Sequence, residues 1–115
     1  MYQRILLTLD RSPLAEKALP HAVALAQACH AALELVSVGP LSDVQASAEY
    51  VVYVDRDQEA AQCEEYLRRV QGRLQGEGLQ VDATVRRGDV TEEILRHADE
   101  RRADLIVMST HGRGT

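Results

Sequence analysis

The sequence has no tryptophan and no phenylalanine, and its four tyrosines are its whole aromatic content. The core of its fold must therefore be built from aliphatic side chains. It has two cysteines, Cys29 and Cys63, and no CxxC pair, which excludes a disulfide-stapled scaffold and a cysteine-rich zinc site. We expect both thiols to be reduced and not bridged to each other, as in a cytoplasmic protein.

Positive charge is scarce, and long apolar runs are missing. The 13 lysines and arginines are outnumbered by 18 acidic residues, which gives a net charge of −5. Surfaces that bind nucleic acid are usually basic, so we expect no nucleic-acid partner. No apolar run approaches the roughly 20 residues that a membrane-spanning helix needs, and no basic amphipathic helix indicates a membrane surface. We therefore expect no membrane partner.

The chain does have enough apolar residues for one folded domain. Its 115 residues are 45% hydrophobic, which predicts a single domain over residues 1–115. Strand-like and helix-like segments alternate in the order β-α-β-α-β-α-β, with strands at 4–9, 33–38, 79–86 and 104–108. This alternation predicts an α/β fold with an open parallel sheet and helices on both faces.

The hydrophobic pattern of each segment predicts where that segment lies in the fold. The first and fourth strands are continuously apolar and are predicted to be central, whereas the third alternates with period two and is predicted to lie at an edge. Tyr50 to Val54 has strand propensity but no predicted place in the sheet. Pro20 predicts a kink without a break in the first helix.

Each predicted helix carries an apolar stripe. The residues predicted to face inward are Ala15, Ala18, Ala22, Leu25, Ala26 and Cys29, then Cys63, Leu67, Val70 and Leu74, then Val90, Ile94, Leu95 and Ala98. The histidines His21, His30 and His97 have no metal-ligand spacing and are predicted to lie at the surface.

The carboxyl end of the chain has the composition of a phosphate-binding loop. An apolar strand ending at Met108 is followed directly by Ser-Thr-His-Gly-Arg-Gly-Thr over residues 109–115. Small residues allow backbone N–H groups to approach an anion closely, and Arg113 adds a permanent positive charge. Parallel α/β sheets hold phosphates in this way at the carboxyl ends of their strands.

Several strand ends together resemble the universal stress protein family over the whole chain. The likeness rests on Asp10 after the first strand, Val38 at the end of the second, Gly88 after the third and the Met-Ser-Thr-His-Gly-Arg-Gly segment after the fourth. The resemblance implies a Rossmann-like, adenine nucleotide alpha-hydrolase-like sheet with strand order 3-2-1-4-5. It also implies a homodimer, and ATP bound with or without Mg²⁺.

The resemblance assigns a nucleotide site residue by residue. Asp10 matches the family aspartate that faces the adenine, the ribose and the metal on the phosphates, and Val38 matches the residue whose backbone meets the adenine edge. Ser109 replaces the first glycine of the family's G-x-x-G motif, near the ribose, and Gly112 matches the second glycine, at the phosphates. His111 and Arg113 lie in the same loop.

The resemblance also implies that the domain is incomplete at its carboxyl end. The family motif continues with a later Gly-Ser or Gly-Thr pair, and the family fold continues with a fourth helix and a fifth strand. None of these is found before Thr115, so we expect that the fifth strand is absent from this chain.

Three functions remain open from the sequence. The first is a small cytoplasmic ATP-binding regulator of the stress response, with at most slow ATP hydrolysis, because no catalytic base is evident. The second is a dimeric stress or scaffold protein that binds no nucleotide, which Ser109 favours. The third is an enzyme that cleaves adenine nucleotides, for which only His111 offers a catalytic group. Asp10 also has a simpler interpretation, as a turn residue before the first helix.

Overall fold

The computed structural model describes residues 1–39, 44–46, 49–53 and 55–109. In chain order its elements are β1 (Arg4–Thr8), α1 (Pro13–Cys29), β2 (Ala32–Gly39), β3 (Val44–Ala46), β4 (Val51–Tyr53), α2 (Arg56–Gly76), β5 (Val81–Arg87), α3 (Val90–Arg101) and β6 (Leu105–Val107).

Four strands form a parallel sheet in the order β5-β2-β1-β6. Counting only the four strands that the sequence predicted, this is the order 3-2-1-4, which confirms the predicted fold class. β5 lies at an edge, as its alternating pattern predicts. β6 has one neighbour, β1, within the described residues, where the sequence predicted a central strand. The second interior strand is instead β2, which lies between β1 and β5. The prediction failed because an apolar run indicates that a strand is buried but not how many strands pair with it.

Helices cover both faces of the sheet. α1 and α2 pack on one face over a large aliphatic cluster that includes Ile5, Leu7, Leu33 and Leu35. α3 covers the other face over a much smaller cluster of Leu6, Val36 and Ile94. The helices on both faces confirm the predicted α/β architecture.

α1 follows its predicted course, with one correction to its apolar stripe. The Ser12 hydroxyl accepts a hydrogen bond from the Ala15 N–H at 3.1 Å, which caps the helix. The helix then continues through the exposed Pro20 without a break. Leu25, predicted to face inward, is 36% exposed, whereas Leu19 is 3% exposed and packs in the core.

α2 confirms its predicted inward stripe. Its buried residues are Cys63, Leu67, Val70 and Leu74. Asp55 caps the helix by accepting hydrogen bonds from the N–H groups of residues 57 and 58. Cys29 and Cys63 are both free, as predicted.

α3 differs most from its prediction. Val90 and Leu95, expected to face inward, are 54% and 58% exposed. Glu93 and His97 are buried in their place, so the prediction of a surface His97 is wrong. The polar side chains can be buried because Arg86, from β5, donates a hydrogen bond to Glu93 and lies 3.0 Å from His97.

The segment with strand propensity but no predicted place forms a separate hairpin. β3 and β4 pair antiparallel, with Ala46 opposite Val51, and do not join the main sheet. No helix in the described part of the chain is long and apolar enough to cross a membrane.

Candidate functional site

A cavity of about 290 Å³ opens at the carboxyl ends of β1, β2 and β6. It lies where the chain order of the strands reverses, because β1 leads to β2 on one side and β6 returns on the other. Open α/β sheets bind their ligands at such a switch point. The residues that line it are Thr8, Leu9, Asp10, Ala15, Val36, Val38, Val90, Ile94, Met108 and Ser109.

Asp10 is placed at the cavity by a tight turn. Its Oδ1 accepts a hydrogen bond from the Ser12 N–H at 2.9 Å, directly before α1. Asp10 therefore has the turn role that its simpler interpretation predicts, and it also lines the cavity. The bond holds the carboxylate beside the first turn of the helix.

Arg11 anchors the same turn to α2. Its φ of 67° lies in the left-handed region, which is unfavourable for a residue with a side chain. Its guanidinium donates a hydrogen bond to Gln62 Oε1 at 3.2 Å and forms a salt bridge with Glu59. These contacts hold the strained residue next to Asp10 in place, so the position of the carboxylate depends on α2 as well as on β1.

Val38 offers its backbone to the cavity. The C=O of Val36 accepts a hydrogen bond from the Leu9 N–H at 2.8 Å, across to the end of β1. Backbone groups of alternate residues point to the same side of a strand, so the N–H and C=O of Val38 also point to the β1 side. β1 has already ended at Thr8. These groups therefore face the cavity edge, where a ligand could bond to them.

Two helices direct their amino ends to the cavity. Ala15 in the first turn of α1 lines it, as do Val90 and Ile94 in the first two turns of α3. The amino end of a helix carries a partial positive charge, which favours anionic groups nearby. The two helix ends therefore favour an anionic group near the cavity, although its described lining residues include no basic side chain.

The structure brings together three of the six predicted site residues. Asp10, Val38 and Ser109 line one cavity, with Ser109 half-buried at the end that follows β6. His111, Gly112 and Arg113 lie outside the described residues. Sequence reasoning did not assign Leu9, Val90 or Ile94 to the site. Val90 was expected to face inward, so its apolar character alone did not distinguish a cavity wall from a core position.

The chemistry of the lining suits a flat apolar group with polar edges. Seven of the ten lining residues are apolar, and the carboxylate of Asp10 and the hydroxyls of Thr8 and Ser109 supply the polar contacts. Ligand pockets commonly combine apolar walls with a few placed polar groups. No cluster of three metal-binding side chains occurs within residues 1–39, 44–46, 49–53 and 55–109.

Larger cavities lie elsewhere in the described part of the chain. One of about 440 Å³ runs between α1 and α2. Another, of about 580 Å³, lies at the amino-terminal ends of the strands. A third, of about 460 Å³, is an open recess on the surface of α2 beside Glu64 and Arg68. None of these contains a predicted site residue, and none lies at the switch point. We therefore assign the candidate functional site to the smaller cavity at the carboxyl ends.

Comparison with known proteins identifies relatives over the full length of the chain. The model of the universal stress protein family matches residues 1–115. The universal stress protein YxiE of Bacillus subtilis is 29% identical over 120 residues, which cover 97% of this chain and 81% of that protein. The crystal structure of a family member from Burkholderia pseudomallei has a TM-score of 0.78 and 32% identity, covering 96% of this chain and 83% of that one.

Two solved structures with the same fold contain adenine nucleotides. A universal stress protein in complex with cAMP has a TM-score of 0.74 at 22% identity, covering 99% of this chain and 80% of that one. A family protein from Arabidopsis thaliana with AMP bound has a TM-score of 0.75 at 17% identity, covering 98% and 80%. At these identities the two structures establish the shared fold alone.

Proposed function

Because this chain belongs to the universal stress protein family, we propose that it is a small ATP-binding regulator of the stress response that acts in the cytoplasm as a homodimer. One observation carries the nucleotide part of the proposal. Asp10, Val38 and Ser109, which are far apart in sequence, line one cavity at the switch point of the sheet. The AMP and cAMP bound to two proteins of the same fold support an adenine nucleotide as the ligand class.

Each part of the nucleotide has a complementary group in this site. The apolar walls accept the adenine ring, and the Val38 backbone bonds to its polar edge. Asp10 and Ser109 provide acceptors and a donor for the ribose hydroxyls. The amino ends of α1 and α3 favour the phosphates.

Asp10 also fits a magnesium ion carried by the phosphates. Mg²⁺ is usually held by one or two protein carboxylates together with substrate phosphates and water. Asp10 is the one carboxylate among the described lining residues, and it lies beside a helix amino end where phosphates would bind. When bound, Mg²⁺ would neutralise phosphate charge at this carboxylate.

Calorimetric titration with ATP tests the proposal through two substitutions of one residue. Asp10→Asn keeps an oxygen that accepts from the Ser12 N–H but removes the negative charge, whereas Asp10→Ala removes both. We expect both variants to weaken Mg²⁺-ATP binding about tenfold or more. Asp99→Ala is the matched control, since Asp99 is an exposed aspartate on α3 outside the cavity.

The alternative is a dimeric scaffold protein that binds no nucleotide. Ser109 favours it, because a side chain replaces the family glycine where the backbone would have to approach the ribose. Absence of binding by ATP, AMP and cAMP at millimolar concentration would support this alternative. ATP binding unchanged in both Asp10 variants would remove Asp10 from the site. Light scattering tests the homodimer in either case.

We expect at most slow ATP hydrolysis. The described lining has one carboxylate and no histidine, lysine or arginine. Phosphoryl transfer needs charged groups that stabilise the transferred phosphate and position the attacking water. A steady-state phosphate-release assay measures this directly.

A further inference from the structure

The recess of about 580 Å³ at the amino-terminal ends of the strands is strongly polar and basic. It lies at the opposite end of the sheet from the nucleotide cavity, between the starts of β1 and β2 and the end of α3. Three arginines line it, namely Arg4, Arg101 and Arg102, together with His30 and two glutamines. This concentration of arginine is unexpected in a chain with a net charge of −5.

Two acidic side chains near this recess already accept hydrogen bonds from other groups of the protein. Glu100, which also lines the recess, accepts a hydrogen bond from Arg86 at 2.9 Å. The carboxylate of Asp104 accepts from the backbone N–H groups of Gln3 and Arg4, at 2.9 and 3.1 Å. These bonds leave the arginine side chains as the groups that determine which ligand the recess accepts.

The arginines are only loosely held by the protein. The Arg102 side chain forms no hydrogen bond or salt bridge within the described part of the chain, although its backbone N–H donates to the C=O of Asp99 at the end of α3. Arg4 and Arg101 approach the buried carboxylate of Glu34, but at 3.8 and 3.5 Å, which is too long for hydrogen bonds. Both oxygens of Glu34, which is 1% exposed, have no hydrogen-bond partner in the described structure. The recess therefore lies over an incompletely satisfied charge cluster.

We propose that this recess binds a small dianionic oxyanion, as a free ion or as the phosphate group of a small molecule, through Arg4, Arg101 and Arg102. Guanidinium groups are well suited to this ligand, because their N–H donors match the spacing of phosphate or sulfate oxygens. Glu34 competes with the ligand for Arg4 and Arg101, and so weakens binding. The volume falls within the range of small-molecule pockets, which leaves room for a phosphate monoester.

Titration of the ¹⁵N-labelled protein with sulfate, at constant ionic strength in chloride, tests the proposal. Sulfate carries two negative charges throughout the neutral pH range, so any change of its affinity with pH comes from the protein. We expect saturable shifts of the backbone amides of Arg4, Ala32 and Arg102, and none of Asp10 or Val38. Glycerol 3-phosphate forms the second arm, and tighter binding of this ester than of inorganic phosphate identifies a small phosphorylated molecule as the ligand.

Three variants distinguish a built site from general charge attraction. Arg102→Gln should weaken sulfate binding about tenfold. Arg69→Gln removes the same charge from the exposed face of α2 and should change nothing. Glu34→Gln removes the competing carboxylate and should tighten binding severalfold.

The outcomes separate clearly. Saturable binding that follows this order of variants supports the site. The proposal is overturned if the wild type shows no saturable shifts, or if Arg102→Gln and Arg69→Gln weaken binding equally. In that case the arginines serve only to offset the negative carboxyl end of α3. If Glu34→Gln leaves the affinity for sulfate unchanged, Glu34 does not compete with the ligand for the arginines. Arg102 is exposed, so its variant keeps the test valid even where Glu34→Gln fails to fold.

Discussion

Glu34 is a carboxyl group in the middle of a buried strand, between the aliphatic Leu33 and Leu35. Four charged or titratable side chains face it: Arg4 from β1, Asp82 at the paired position of β5, and His97 and Arg101 from α3. Burial, and then the carboxyl of Asp82, raise the pKa of Glu34, and the two arginines offset this only in part.

His97, beside Glu34, is held neutral. Burial, followed by the charges of Arg86 and Arg101, lowers the pKa of His97. Since Arg86 donates N–H groups only, the Nδ1 atom that lies 3.0 Å from its guanidinium must accept. The proton is therefore on Nε2, which lies 3.5 Å from Glu34 Oε1. The imidazole thus lies between the strand carboxylate and the cluster of Arg86 and Glu93, and within the described structure its ring is bonded to Arg86 but not to Glu34.

Glu34→Gln should stabilise the protein at neutral pH, because the raised pKa of Glu34 shows that the folded state disfavours its ionised form. The folded state binds the Glu34 proton more tightly than the unfolded state, so this residue lowers stability as pH rises from its ordinary carboxyl range through its raised folded pKa. The advantage of Gln should therefore be largest near pH 7 and shrink toward about pH 5.

Denaturant unfolding of both proteins at the two pH values measures this difference. The lowered pKa of His97 acts in the opposite direction, because its contribution is lost as pH falls. Both proteins keep His97, so their comparison largely cancels its effect. A Gln variant that is less stable than the wild type at both pH values would show that Glu34 stabilises the fold.

At the scale of elements, the burial of a residue in α1 depends more on its angular position around the helix axis than on its own hydrophobicity. The buried residues Ala15, Leu19, Ala22 and Ala26 recur at spacings of four, three and four. At about 100° per residue these four lie within about 60° of one another around the helix, whereas Leu25 lies about 80° from Ala15. A leucine at that margin remains partly exposed.

Two leucines of α1 give a matched test of this geometry. Leu19→Ala should lower the free energy of unfolding by about 2–4 kcal/mol, because it leaves a cavity against the sheet. Leu25→Ala should cost less than about 1 kcal/mol. Chemical denaturation of the two variants compares the same change on one helix. Equal losses would contradict the assignment of Leu19 alone to the core.

The shared location of three candidate site residues was predictable from strand ends, whereas the contribution of a helix to the cavity was not. Asp10 and Ser109 follow parallel strands and Val38 lies at the end of another, and such ends meet at one edge of a sheet. Val90 and Ile94 enter the cavity from α3, and a sequence period gives the face of a helix but not the direction of its axis. The buried Glu93 and His97 were missed because their partner, Arg86, comes from another element.

Over the whole molecule, the two faces and the two ends of the sheet have different chemistry. The face under α1 and α2 holds most of the aliphatic core, while the face under α3 combines three buried aliphatic residues with the polar cluster around Arg86. The carboxyl end carries an apolar cavity with a single carboxylate, and the amino end carries an arginine-lined recess. The two candidate ligand sites thus lie at opposite ends of the sheet, and the carboxyl-end cavity shares core residues such as Val36 and Ile94 with the packing under α3.

This distribution predicts a gradient of backbone protection across the molecule. β1 and β2 each have neighbours on both sides and bury their side chains almost completely, so their amides should open only with global unfolding. β5 has one neighbour and half-buried side chains, and should exchange faster. The β3–β4 hairpin is a two-stranded sheet of three residues per strand outside the main sheet, and such hairpins are only marginally stable.

Hydrogen–deuterium exchange read by NMR measures this order at single amides. We expect protection to decrease from Leu7 and Leu35, in the interior strands, to Thr84 in β5, whose N–H faces β2, and then to Val51 in the hairpin. The comparison is internal to one sample, so global stability affects the slowest amides alone. Hairpin amides protected as strongly as those of β1 would contradict the gradient, because they would show that the hairpin unfolds only together with the core.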